Sequence, residues 1–133
     1  VCDITRTVVV GKATQRHKKI YGIVLKAQMA GIRKVRAGIG GRDVDKVCRD
    51  IIAKAGFGKQ FGHGTGHGIG IFIHMGPRVS PATQDKLKPG NVITIEPGIY
   101  IPGWGGVRIE DDVVVTRSGG VVLNRAPKNL LEL

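Results

Sequence analysis

The chain has 133 residues, two cysteines and a net charge of +11, from 21 Lys+Arg against 10 Asp+Glu. That length suits one domain with an ordinary core, and no apolar run approaches the ~20 residues that cross a bilayer. Two cysteines without a CxxC pair exclude a disulfide framework. The start VCDITRT has neither region of a signal peptide, so a cytoplasmic setting is expected.

Residues 3–10, DITRTVVV, are rich in β-branched side chains and predict a strand, turned by Gly11 and Lys12. From Thr14, an N-cap residue type, to Arg36, apolar residues recur with helical spacing at Ile20, Val24, Ala27, Gly31 and Val35. Glycines 38, 40 and 41 end that helix. A second helix, 42–55, is expected to bury Val44, Val47, Cys48, Ile51 and Ile52 and to stop at Gly56. Beyond it glycine becomes frequent, and alternating segments predict strands at 69–74, 91–100, 106–116 and 121–123. Pro77, Pro81 and Pro89 mark loops between them. This order predicts an α+β fold, with two helices covering one face of a mainly antiparallel sheet.

Residues 11–60 hold 13 basic side chains and three acids, Asp43, Asp45 and Asp50. With one Tyr and one Phe in the block, it reads as solvated helical faces and not as a surface for stacking bases. Nucleic acid is therefore not the expected partner; a basic nucleic-acid-binding domain is kept only as a distant alternative.

Four side chains carry the chemistry: Asp3, His67, Glu96 and Glu110. Side chains alternate across a strand. That parity puts Asp3 with Thr5 and Thr7, Glu96 with Thr94, and Glu110 with Arg108 and Asp112. Each carboxylate alone reads as a surface residue. Together, three carboxylates turned out of apolar strands cost several kcal/mol apiece unless paired or bound to metal. Arg108 can pair with one of them. Oxygen donors plus one imidazole suit Mn, Co or Zn better than a thiolate site. His63, His67 and His74 surround a glycine-rich stretch that lacks the GK[ST] of a phosphate loop. His17, among lysines and an arginine, reads as a solvated bystander.

The segments GHGTGHGIGIFIH, LKPGNVITIEPGIYIPGWGGVRIEDDVVVT and DITRTVVVG resemble the pita-bread metallopeptidases, the creatinase, aminopeptidase P and prolidase family. The similarity runs over essentially the whole chain, to the tail APKNLLEL, and lies in the Xaa-Pro dipeptidase and Xaa-Pro aminopeptidase branch. Methionine aminopeptidases share the fold and metal site but carry the last glutamate in a different motif. The resemblance implies a partial pita-bread fold, with residues 1–133 forming the C-terminal part of a catalytic domain. It implies hydrolysis of the bond before proline, in dipeptides or at peptide N-termini, through a hydroxide bridging two divalent ions, Mn or Co and sometimes Zn. Asp3, His67, Glu96 and Glu110 are then metal ligands, Asp3 and Glu110 bridging both ions. His63 and His74 contact substrate and help stabilise the tetrahedral intermediate, Glu96 carries a proton, and Arg108 supports the last ligand.

The chain departs from the family pattern in three places. The family's fifth ligand, an aspartate upstream of Asp3, is missing, as is the N-terminal part of the domain. The expectation is an ion held chiefly on the His67 side and weak or no turnover by this chain alone. An exposed edge is expected to dimerise or to bind the missing half. Met75 stands where the family has glutamate, and Phe72 where it commonly has a polar residue, which alters substrate contacts near His74. A catalytically impaired pita-bread module that binds peptides or another protein is the nearer alternative; the four retained ligands speak against it.

Overall fold

In the computed structural model, which describes residues 1–133, Thr14 opens the first helix, α1 (Gln15–Lys34). The Thr14 hydroxyl accepts from the His17 amide, and His17 Nδ1 accepts from the Thr14 amide, satisfying two donors that a helix end leaves orphaned. The His17 ring also packs on Trp104 at 5.3 Å between centroids. His17 is therefore a capping residue, and the bystander reading is corrected. The stripe Ile20, Val24, Ala27, Gly31 and Val35 is buried as predicted.

Helix α2 (Gly41–Lys54) crosses α1 closely at Gly31, where an added Cβ would stand 2.5 Å from Cys48 Sγ. Val44, Cys48 and Ile52 are buried, but Val47 and Ile51 are only half-buried. The helix is rotated to bury Asp45 instead. That carboxylate takes Arg49 and the amide and hydroxyl of Thr65, which makes its burial tolerable.

Nine short strands follow from the rest of the chain: β1 (Val8–Val9), β2 (Gly66–Gly68), β3 (Met75–Val79), β4 (Val92–Ile95), β5 (Gly98–Ile101), β6 (Gly105–Arg108), β7 (Asp111–Val115), β8 (Gly120–Val122) and β9 (Leu131–Glu132). The main sheet is antiparallel, in the order β3-β2-β4-β7-β8. β5 and β6 form a separate antiparallel pair, and β1 lies parallel to β9. One core cluster joins the helices to β5 and β6 through Ile20, Val24, Ile52, Ile99 and Val107. A second joins their ends to the main sheet through Val35, Val44, Ile93, Ile95 and Val113. Both helices thus cover one side of the strands, as expected.

Strand boundaries depart from the sequence reading. Residues 69–74 are not a strand but the loop of the β2–β3 hairpin, closed where Gly68 pairs with Met75. The Gly70 amide donates to the Phe72 carbonyl across this turn, leaving Ile71 86% and Phe72 70% exposed. Phe72 and His74 therefore lie in a loop and not on a strand face. Of 3–10, only Val8–Val9 forms a ladder, because Thr7 Oγ1 accepts from the Arg108 amide and donates to its carbonyl in place of main chain. The predicted strands 91–100 and 106–116 each break in two, at Glu96–Pro97 and at Ile109–Glu110.

Candidate metal centre

The two breaks face each other. Ile95 opposes Asp111 on one side of the gap and Gly98 opposes Arg108 on the other, so the register is unbroken and Glu96 lies opposite Glu110. Pro97 has no amide to offer a ladder here. The Glu96 amide donates outward to the Thr65 carbonyl, and the Glu110 amide outward to Thr5. The hairpin opens, and both carboxylates enter the space between its halves.

His67 reaches the same space from β2. Gly66 permits this, because a Cβ there would lie 1.9 Å from the Thr94 carbonyl oxygen. The His67 amide is held by Thr94 Oγ1, which in turn donates to Glu96 Oε1 at 2.9 Å. His67 Nε2 lies 3.2 Å from Glu96 Oε1 and 3.7 Å from Asp3 Oδ2. Ligand atoms of Asp3, His67 and Glu110 all fall within 4.8 Å of one another, while Glu96 joins the group through His67. Asp3 is fixed by its own amide, which donates to Asp112 Oδ2 at 3.1 Å.

The donor set fits a cation. His67 Nδ1 lies 3.1 Å from the Gly68 carbonyl, which can only accept, so the proton sits on Nδ1. The lone pair of Nε2 then points at two carboxylates, an arrangement that needs a proton or a metal ion between them. Hydrogen bonding to Glu96 accordingly raises the His67 pKa against the effect of burial. Burial pushes Glu96 up, but the hydrogen bonds from His67 and Thr94 outweigh it and hold Glu96 below the usual range. Glu110 is 1% exposed; burial, reinforced by Glu96 and Asp3, pushes it up to about 7 despite the Thr5 hydroxyl bonded to it. Arg108 Nε stands 3.8 Å from Glu110, leaving negative charge in excess.

The other predicted residues rim this centre. His63 Nδ1 lies 2.7 Å from the Gly64 carbonyl, so Nε2 accepts from the Tyr100 hydroxyl, also at 2.7 Å. His74 is exposed, with its ring 4.4 Å from that of His67. A polar cleft of about 260 Å³ runs along His63, His67, His74, Glu96 and Arg108, and adds Arg78 and Ser80, which the sequence reading missed. Tyr100 was missed as well; it shares a parity with Glu96 in the predicted strand 91–100, and that was the available signal, whereas Arg78 gave none. Thr5, placed with Asp3 by parity, bonds Glu110 instead. A second cleft of about 300 Å³, around Trp104 and Tyr21, contains none of the predicted site residues.

The sequence profile of Metallopeptidase family M24 matches residues 1–117. The chain belongs to that family. M24 relatives include the Xaa-Pro dipeptidase of Pyrococcus horikoshii, 46% identical over 129 residues, which are 97% of this chain and 37% of the relative. Among solved structures, an Xaa-Pro dipeptidase from Bacillus anthracis superposes with a TM-score of 0.95 at 50% identity, covering 98% of this chain and 37% of the other. An X-Pro aminopeptidase from Thermotoga maritima gives 0.95 at 40% identity, with the same coverage of 98% and 37%. The fold is therefore pita-bread, in part, and the chain spans 37% of the length of these M24 relatives. No helix is long and apolar enough to cross a membrane.

Proposed function

We propose that the chain is the C-terminal part of the catalytic domain of a metallopeptidase that cleaves Xaa-Pro bonds in dipeptides or at peptide N-termini. One observation carries this reading: the convergence of Asp3, His67 and Glu110 within 4.8 Å, with Glu96 against His67. The names of the M24 relatives support the substrate class. Asp3, His67, Glu96 and Glu110 would hold the divalent metal, and the oxygen-rich donor set favours Mn or Co, with Zn as a further option. A bound ion supplies Lewis acidity, which acidifies water and polarises a scissile carbonyl.

The chain's own residues do the rest. Glu96, kept ionised by His67 and Thr94, is placed to take a proton and pass it to the leaving amine. His74, exposed on the rim, can donate to negative charge developing on a bound peptide. His63 is held between the Gly64 carbonyl and the Tyr100 hydroxyl, so the pair orients substrate as one unit. Arg108 offsets part of the carboxylate charge. A cytoplasmic setting agrees with two free cysteines, one of them buried. The rest of the catalytic domain, or a second copy, is the partner expected to complete the site.

Calorimetric titration with Mn²⁺ and Co²⁺ tests the metal assignment. Saturable binding by the chain, lost in His67→Ala, is the expected result; equal heats from both proteins would overturn it. The longer protein containing this chain should then hydrolyse Ala-Pro and spare Ala-Ala.

A further inference from the structure

Behind the carboxylates, on the side away from the cleft, Arg6 makes an unusually complete set of contacts. Its Nη1 donates to the carbonyls of Thr5 at 2.9 Å and Glu110 at 2.7 Å. Its Nη2 donates to Asp111 Oδ1 at 2.7 Å and to the Ala126 carbonyl at 2.9 Å, and Nε donates to the Pro127 carbonyl at 2.9 Å. One planar guanidinium thus bridges three stretches of chain. The first carries Asp3, the second carries Glu110, and the third is the C-terminal tail, which lies beyond the segment matched to the family profile.

The tail is anchored in its own right. Lys128 Nζ reaches Asp111 Oδ2 at 2.6 Å and Gln28 Oε1 at 3.2 Å, and Tyr21 donates to the Lys128 carbonyl. Gln28 Nε2 also donates to Asp111 Oδ2 at 2.7 Å. Asp111, fully buried, therefore has both oxygens occupied by charged or amide donors. The acid next to Glu110 is a fixed post, and the residue after Thr5 is clamped to it. Lysine could keep the charge of Arg6 but not its planar fork of donors.

We propose that Arg6 is a positioning residue, and that with Asp111 and the tail residue Lys128 it sets the spacing between the metal-binding carboxylates of Asp3 and Glu110. This rests on the metal assignment above. The strap works through backbone: it holds the carbonyls of Thr5 and Glu110, and the Glu110 amide is bonded to Thr5 in the same bridge. The side chains on the opposite face of that bridge are left to meet the ion.

The test compares Arg6→Lys, Lys128→Met and the control Lys12→Ala in the 133-residue chain. Lys12 binds Glu132 on the exposed side of the same tail. Co²⁺ affinity, the visible absorption of the Co²⁺ complex and the thermal midpoint of the metal-free protein are measured for each. Arg6→Lys is expected to lose about tenfold or more in Co²⁺ affinity, as partners of metal ligands do when altered, and to change the absorption band. Lys128→Met should shift both in the same direction by less, and Lys12→Ala neither. A lower melting point with unchanged affinity and spectrum would make Arg6 a stability residue only and overturn the proposal. If Arg6→Lys does not fold, Lys128→Met decides alone, wild-type affinity and spectrum overturning it. Absence of Co²⁺ binding by the wild type would overturn the metal assignment as well, which separates the two failures.

Discussion

Glu96 and Glu110 occupy opposed positions of a single antiparallel hairpin, yet each amide donates away from the other, to Thr65 and to Thr5. Two like charges directly opposite are unfavourable in a sheet. Here the ladder gives way at that level, and the space it releases is where His67 and Asp3 arrive. Opposed carboxylates, Pro97 and the outward bonds to Thr65 and Thr5 all act at the level where the site opens.

Burial of Glu110, reinforced by Glu96 and Asp3, makes the metal-free protein pH-dependent. Glu110 has its pKa raised to about 7, so its contribution to stability is full below about 4.5 and lost as pH rises through 7, roughly 3 kcal/mol in all. His67, also raised, acts in the same direction, while the lowered Glu96 loses its contribution only as pH falls. Denaturant unfolding in EDTA should therefore show lower stability at pH 8 than at pH 5, and Glu110→Gln should flatten the difference. Excess Mn²⁺ should reverse the trend, since ion binding competes with protons. Equal metal-free stability at both pH values would show that Glu110 is solvated.

Gly66 is required by contact and not by backbone conformation. Gly66→Ala must push β2 off the Thr94 carbonyl, at a cost of about 1–3 kcal/mol. It should also weaken Co²⁺ binding by moving His67. Gly62→Ala, with nothing within 4 Å, should change stability by less than about 0.5 kcal/mol. Paired melting curves and titrations of the two variants make the comparison.

The thiols should separate cleanly. Cys48 is buried, its Sγ lies 3.3 Å from the Ala27 carbonyl, and burial pushes its pKa up to about 12. Cys2 is exposed, with its pKa raised first by the nearby Asp112 carboxylate. At pH 8 a thiol reagent should label one cysteine per folded chain, more slowly than a free thiol, and two after denaturation. Two fast equivalents in the folded state would contradict the α1–α2 packing.

Thr14→Ala and His17→Ala each remove half of the reciprocal cap on α1 and should each cost about 1 kcal/mol. The double variant should lose less than the sum, because either change breaks the same pair. Additive losses would mean that His17 acts through Trp104 alone.

The helices, and the four side chains that the fold gathers at the centre, were legible in the sequence because both rest on local pattern. Thr14 announced α1, the Ile20-to-Val35 stripe gave its buried face, and strand parity put Thr94 beside Glu96 and Arg108 beside Glu110, whereas Thr5, expected beside Asp3, bonds Glu110. The strand breaks were only partly legible. Pro97 in ITIEPGIY and Asp111 in VRIEDDVVV interrupt the alternation, but tertiary pairing of Glu96 with Thr65 and Glu110 with Thr5 fixes where each strand divides. Alternation likewise suggested a strand at 69–74, where the Gly68–Met75 pairing makes a loop. His17 was misread because a charged neighbourhood looks the same whether a ring caps a helix or points to water. The burial of Asp111 and Asp112 was hidden because their partners are distant in the chain: Arg6 and Lys128 for Asp111, Asp3 and Asn124 for Asp112.

Arg6 meets Pro127 across 121 residues, and the parallel pairing of Val8 with Leu131 ties the first strand to the last. Contacts of such long range form late and slow folding down. On a ribosome, the helices and the main sheet can organise while the segment bearing Asp3 still lacks its neighbour. Only when residues 126–132 have emerged is that segment gripped from both sides. The capacity to take up a metal ion should therefore lag behind the folding of the helices and the main sheet.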